Sequence, residues 1–140
     1  MKILVDTNII IDALQGREPW SHDAQSLIML IAQEKINGYV TAKELTDIWY
    51  LANQIHKNEE NGQKKAKGYI EKLCKLFTIL DTTGYDIENA LVYDDKDFED
   101  SVMISTAIRC GMDGIITRNT KDYLNHGITI YDLSEYKNLL

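Results

Sequence analysis

Residues 1–12, Met1-Lys2-Ile3-Leu4-Val5-Asp6-Thr7-Asn8-Ile9-Ile10-Ile11-Asp12, decide the fold, because an apolar run here ends in a carboxylate. The run at residues 3–5 is typical of a strand buried on both faces of a parallel sheet. Asp6 follows at the carboxyl end of that strand, where such sheets bind their ligands. Either Thr7 or Asn8 can cap a helical turn over residues 9–14. The sequence therefore predicts a functional site at the edge where Asp6 lies.

The rest of the chain continues this alternation of strands and helices. Apolar spacing predicts further strands at residues 39–41, 77–80, 115–117 and 128–130, and helices at residues 20–34, 45–55, 66–77, 83–93, 97–111 and 119–124. The helix positions expected to be buried include Leu45, Ile48, Trp49, Ala52, Ile55, Ile87, Ala90 and Leu91. This order predicts an α/β fold with three α/β/α layers around a central parallel sheet of about 4–5 strands.

The composition is that of an ordinary globular protein. With 140 residues, one proline and eight glycines, the chain has no room for a long linker, so we expect one domain over residues 1–140. We find no apolar stretch of membrane-spanning length and no signal peptide, and we expect a cytoplasmic protein without membrane contact. Cys74 and Cys110 lack the spacing of a metal site and are expected to be free thiols.

The formal net charge of −7 argues against a protein that binds nucleic acid by simple phosphate neutralisation. If nucleic acid is the substrate, a divalent metal ion could offset the acidic side chains. The one markedly basic stretch carries Lys57, Lys64, Lys65, Lys67, Lys72 and Lys75. We interpret it as a solvated helix face, with a secondary contact to RNA as the alternative.

Six acidic or amide side chains fall where predicted strands meet predicted helices: Asp6, Glu44, Asp97, Asp100, Asn119 and Asp122. In a parallel sheet, strand carboxyl ends and the following helix N-termini share one rim, so these side chains can converge. Motifs of nucleotide-binding loops, serine hydrolases and zinc proteases are absent, and the three histidines lack the spacing of a metal pair. The acids are therefore the leading candidates for chemistry.

Each acid also has a structural interpretation. Thr41 and Glu44 have the spacing of a capping box, Asp97 can be an N-cap, and Asp122 complements a helix dipole. The two interpretations are compatible, because a helix N-terminus keeps a carboxylate ionised, as a hard metal requires. Clustered carboxylates repel unless a cation lies among them, and oxygen ligands without His or Cys favour Mg²⁺ or Mn²⁺.

The chain resembles a PIN domain, the ribonuclease fold of VapC-type toxins and of proteins similar to the PilT N-terminus. Four segments carry the resemblance, in the family's order: Ile3-Leu4-Val5-Asp6-Thr7-Asn8, Thr41-Ala42-Lys43-Glu44-Leu45, Asp97-Phe98-Glu99-Asp100-Ser101, and Ile115-Ile116-Thr117-Arg118-Asn119 with Lys121-Asp122-Tyr123. Each segment is short, but four in register form a fairly specific pattern.

The resemblance implies a Mg²⁺- or Mn²⁺-dependent endoribonuclease, the toxin of a toxin–antitoxin pair, with an antitoxin protein as partner and a homodimeric state. The catalytic residues implied are Asp6, Glu44, Asp100 and Asn119, with Asp6, Glu44 and Asp100 as metal ligands, Asp97 and Asp122 as further candidate ligands, and Thr7, Asn8, Thr117 and Arg118 as contacts to phosphate or RNA. Asn119 stands where many relatives have an acid, so the sequence is compatible with one metal ion or two.

Two other functions remain open from the sequence. A PIN-like module that binds RNA or protein without catalysis would be compatible with Asn119 in place of an acid. An aspartate-based phosphotransfer enzyme would also place a carboxylate at a strand end. The latter fits less well, because Asp6-Thr7-Asn8 lacks the second acid two residues on that the haloacid-dehalogenase pattern requires.

Overall fold

Five parallel strands form the central sheet of the computed structural model, which describes residues 1–93, 97–123 and 127–140 except for the Asp122 side chain. The strands are β1 (Lys2–Val5), β2 (Asn37–Thr41), β3 (Thr78–Leu80), β4 (Gly114–Thr117) and β5 (Thr129–Asp132). Their order in the sheet is β3-β2-β1-β4-β5, and all four pairings are parallel. The prediction of a central parallel sheet is confirmed, and β1 lies in its middle.

The described helices alternate with these strands. They are α1 (Thr7–Gln15), α2 (Ser21–Ala32), α3 (Ala42–Ile55), α4 (Gly62–Leu76), α5 (Gly84–Ala90) and α6 (Phe98–Arg109), with 3₁₀ helices at Thr120–Asp122 and Leu133–Leu139. The second 3₁₀ helix was not predicted, and part of the helix predicted at 119–124 lies outside the described residues. The N-cap of α1 is Asp6, with extended backbone angles, rather than Thr7 or Asn8 as predicted.

The two faces of β1 belong to two different hydrophobic cores. Ile3 and Val5 pack with side chains from α1 to α4, whereas Leu4 packs with Met103, Ile104 and other residues of α6 and β4. Alternate strand residues point to opposite faces, so helices must cover both sides of the sheet. This arrangement confirms three α/β/α layers and explains why the opening run is apolar without interruption.

Several helix positions are more exposed than predicted. Leu45, Ile48, Ala52 and Ala90 are buried as predicted, but Trp49, Ile55, Ile87 and Leu91 are between 39% and 72% exposed. The prediction is wrong at Trp49, Ile55 and Ile87 because α3 and α5 are covered along a narrow stripe only, and at Leu91 because α5 ends one residue earlier, at Ala90. In α5 that stripe is formed by Asp86 and Ala90.

Two other expectations can be compared with the fold. Cys74 and Cys110 are free, as predicted. Among the helices that the structure describes, none has the length and apolar character needed to cross a membrane.

Candidate active site

Asp6 lies at the carboxyl end of β1 and is only 5% exposed. Its Oδ2 accepts a hydrogen bond of 2.7 Å from Oγ1 of Thr117, which ends the neighbouring strand β4. The Thr117 oxygen in turn accepts the backbone N–H of Asn119 at 3.1 Å. Burial raises the pKa of Asp6, while the Thr117 hydroxyl and the backbone amides of Asn8 and Thr7 act in the opposite direction. Asp6 is therefore held in one orientation by the adjacent strand.

Glu44 reaches the same edge from the first turn of α3 and is 1% exposed. Its Oε1 accepts the backbone N–H of Thr41 at 2.9 Å, and its own N–H donates to Thr41 Oγ1 at 3.1 Å, which confirms the capping box. Its Oε2 accepts a 3.1 Å hydrogen bond from Thr7 Oγ1. Burial raises the pKa of Glu44 to about 8, and the charge of Asp6 adds to the rise. Glu44 is thus a helix cap and half of a buried acid pair.

A buried tyrosine, Tyr123, links Asp100 to the same group of acids. The Tyr123 hydroxyl forms a hydrogen bond with Asp100 and lies 3.6 Å from Met103 Sδ. Burial raises the pKa of Tyr123 well above its ordinary value, and the negative charges of Asp6, Asp100 and Glu44 raise it further. The three predicted metal ligands therefore act on one tyrosine. Tyr123 was not predicted as a site residue, although it ends the segment Lys121-Asp122-Tyr123 that belongs to the resemblance.

These acids open into a cleft of about 330 Å³ between α3 and α6. Its described lining includes six acidic residues, namely Asp6, Glu44, Asp47, Asp97, Glu99 and Asp100. Lys43 joins the two walls, because its Nζ lies 2.6 Å from Asp47 Oδ2 on α3 and 3.1 Å from Glu99 Oε1 on α6. The cleft is therefore strongly acidic, and its cation is already paired.

The chemistry of the donor set fits a hard divalent cation. Asp6, Glu44 and Asp100 offer only oxygen atoms, which favours Mg²⁺ or Mn²⁺ over zinc. In the part of the chain that the structure describes, no three His, Cys, Asp or Glu side chains are grouped closely enough to form a metal site. The repulsion between Asp6 and Glu44 is the feature that a cation would relieve.

The remaining candidate ligands have different positions. Asp97 lines the cleft and is the N-cap of α6, since its Oδ1 accepts the N–H of Glu99 at 2.9 Å and that of Asp100 at 3.3 Å. The predicted cap is therefore confirmed. The Asp122 side chain lies outside the described residues. Asn119 lines the cleft, as do Thr7 and Asn8.

Two residues predicted to contact RNA, Thr117 and Arg118, form hydrogen bonds within the protein, and their contact with RNA stays a prediction. Thr117 is fully buried, and its hydroxyl is used by Asp6. Arg118 is bound elsewhere, because its Nε donates to Oδ2 of the buried Asp12 at 2.6 Å and its guanidinium carbon lies 3.8 Å from the centre of the Trp20 ring. The break that Asp12 makes in the apolar run of α1 could have indicated this ion pair. Neither Thr117 nor Arg118 lines the cleft.

Comparisons with known proteins agree with this architecture. A family model described as a PIN domain matches residues 2–121. A toxin–antitoxin complex from Klebsiella pneumoniae is similar in structure, with 21% identity, a TM-score of 0.63, and coverage of 90% of this chain and 93% of that one. FitAB bound to an IR36 DNA fragment has 17% identity, a TM-score of 0.69 and 94% coverage of each chain.

A third similar structure is VapC20 of Mycobacterium tuberculosis, a toxin that cleaves the Sarcin-Ricin loop. It has 18% identity, a TM-score of 0.61, and coverage of 81% of this chain and 87% of that one. At these identities the structures show a shared fold. A search of curated proteins finds no match. The family model spans all four segments that carry the resemblance up to Lys121, and the chain therefore belongs to the PIN domain family.

Proposed function

We propose that the protein is a Mg²⁺- or Mn²⁺-dependent endoribonuclease that hydrolyses RNA phosphodiester bonds. The observation that carries this proposal is the buried pair of Asp6 and Glu44 beside an open cleft. Burial raises the pKa of Glu44 to about 8, and the charge of Asp6 adds to the rise. With both carboxyl groups ionised, the pair is therefore unstable without a cation. A divalent cation in such a position can activate a water molecule and offset the charge that develops on the phosphate during phosphodiester hydrolysis.

The chain's own residues would prepare this chemistry. Asp6 and Glu44 would hold the metal ion, and Asp100 would join them if its carboxylate moves closer than it lies in the structure. When bound, the ion supplies Lewis-acid activation of water and phosphate. Thr117 orients Asp6 through the 2.7 Å hydrogen bond, and Thr7 orients Glu44 through the 3.1 Å one. Both carboxylates thus have a fixed direction before the substrate binds, which lowers the cost of organising the site during the reaction.

RNA cleavage by the purified protein tests this proposal. Cleavage should require Mn²⁺ or Mg²⁺, stop with EDTA, and fall to background in Asp6→Asn. A matched control is Asp81→Asn, because Asp81 also follows a strand, β3, but is exposed and does not line the cleft. Equal cleavage by Asp6→Asn and the unchanged protein would contradict the assignment of the site.

We also infer a biological role as the toxin of a toxin–antitoxin pair. This inference is supported by family membership and by the similar structures, which include a toxin–antitoxin complex and a toxin that cleaves RNA. The partner would be an antitoxin protein, and the protein would act as a homodimer on cytoplasmic RNA. Expression should arrest growth, and the product of a small neighbouring gene should restore it. Growth that continues despite active protein would indicate a housekeeping nuclease.

A non-catalytic PIN module is the second candidate, and Asn119 is the observation that favours it. An amide at the cleft supplies no negative charge, so the described lining has one acid fewer than many relatives would have. Thermal unfolding with Mn²⁺ distinguishes the two candidates, because only a protein that binds the ion is stabilised by it. Stabilisation that disappears in Asp6→Asn supports the nuclease, and no stabilisation in either protein supports the binding module.

A further inference from the structure

Tyr50 is an exposed aromatic residue in the wall of the acidic cleft. It is 59% exposed, so its ring contributes little to the core. Of the described residues that line the cleft, it is the one with an aromatic ring. It lies on α3 six residues after Glu44, which corresponds to about 9 Å along the helix axis. Tyr50 therefore lies in the same cleft as the predicted metal ligands but is too far along α3 to take part in the reaction itself.

The helical spacing places Tyr50 on a stripe that faces the cleft. Lys43, Asp47 and Tyr50 are separated by four and three residues, and all three line the cleft, as does the neighbouring Leu51. Leu51 is 37% exposed and adds apolar surface next to the ring. The wall of α3 thus changes from charged to aromatic and apolar with increasing distance from Glu44.

The charge of the cleft excludes a simple electrostatic mode of RNA binding. Six acids line it, and Lys43 is already paired with Asp47 and Glu99. Lys43 and one divalent ion would offset only part of the charge of the six acids, which favours an additional contact with RNA that does not depend on charge. Stacking of a base on an aromatic ring is such a contact, and it requires a base that is not paired with another strand.

We infer that Tyr50 is the platform on which an unpaired base of the bound RNA stacks, with Leu51 extending the apolar surface. This inference rests on the proposed function, because it concerns the substrate of the same cleft. Tyr50 is a positioning residue that determines which RNA binds, and it takes no part in the chemical step. The contact selects RNA with an accessible base near the cleaved phosphate.

Two fluorescein-labelled probes of equal charge test this inference, an oligoadenylate and an abasic ribose-phosphate chain of the same length. Binding is measured by fluorescence anisotropy in EDTA with the otherwise unchanged protein, so that metal-dependent cleavage does not interfere. Adding Tyr50→Ala should weaken oligoadenylate binding about tenfold, which corresponds to about 1.4 kcal/mol and lies within the range for stacking. Tyr50→Trp should keep the affinity, and binding of the abasic chain should not change.

Tyr85→Ala is the matched control, because Tyr85 is also 59% exposed but lies on α5 away from the cleft. It should leave the binding of both probes unchanged. The inference is overturned if Tyr50→Ala weakens both probes equally, leaves oligoadenylate binding intact, or has the same effect as Tyr85→Ala. Base-dependent binding through Tyr50 without cleavage under any metal would overturn the proposed function alone. Cleavage with no effect of Tyr50 would overturn this inference alone.

Discussion

Substitution of Glu44 by Gln should stabilise the metal-free protein. Burial raises the pKa of this carboxyl group from 4.5 to about 8, and Asp6 contributes to the rise. At 1.36 kcal/mol per pKa unit, the full rise corresponds to about 5 kcal/mol, of which about 3 kcal/mol applies at pH 7. Both are upper limits, because water entering the cleft screens part of the charge. Gln keeps the shape of the neutral acid and can bond to Thr41 and Thr7.

The pH dependence gives this prediction its sign. Since the folded-state pKa of Glu44 lies above the unfolded-state value, its contribution to stability is fully present below pH 4.5 and is lost as the pH rises through about 8. Urea unfolding in EDTA should therefore show Glu44→Gln gaining on the unchanged protein across this window. The exposed Glu71 on α4 provides the control, Glu71→Gln. A difference between Glu44→Gln and the unchanged protein that stays constant with pH would refute the reasoning.

Two ion pairs away from the cleft give further predictions. Asp12→Ala should lower the free energy of unfolding by about 3–5 kcal/mol in urea titrations, because it leaves the mostly buried cation of Arg118 without its 2.6 Å partner. Replacing both residues by Leu should restore most of this stability. A loss below about 1 kcal/mol in Asp12→Ala would contradict the prediction. Burial would raise the pKa of Asp86, but hydrogen bonds, of which that from Arg109 is the strongest, lower this pKa to about 2. Ionised Asp86 should therefore contribute about 2 kcal/mol to the free energy of unfolding above pH 4, and this contribution should be lost as the pH falls towards 2. Asp86→Asn should therefore be less stable than the unchanged protein at neutral pH and equal to it near pH 2, and a gap that persists at pH 2 would argue against this assignment.

The central sheet could be predicted from sequence because its two middle strands, β1 and β4, are buried on both faces. Ile3, Leu4 and Val5 must all be apolar when β1 has a helical layer on each side. The acids at the strand ends were predictable for the same reason, since a parallel sheet has one carboxyl edge. From the sequence, Glu44 was predicted both to complete a capping box and to bind a metal ion, and the capping box is present in the structure.

The pattern of exposure along the helices could not be predicted equally well. Trp49 and Ile87 are apolar but stand on helix faces that no described layer covers. Helical spacing identifies residues that share a face, but the neighbours that cover this face are set by tertiary packing. The ion pair of Asp12 and Arg118 was missed for a related reason, because its members are 106 residues apart and meet only through the pairing of β1 with β4.

Strand order also explains why the candidate site lies at the centre of the sheet. The order β2-β1-β4 places the carboxyl ends of three neighbouring strands side by side. Each acid of the buried pair accepts a hydrogen bond from a hydroxyl that belongs to a different segment of the chain. Thr7, after β1, holds Glu44 across 37 residues of sequence, and Thr117, at the end of β4, holds Asp6 across 111. Both bonds depend on the pairing of β1 with its neighbours, so a change that separates β1 from β4 should release Asp6 and leave the capping box of Glu44 intact. The orientation of Asp6 is therefore a tertiary property, whereas that of Glu44 is partly encoded in the first turn of its own helix.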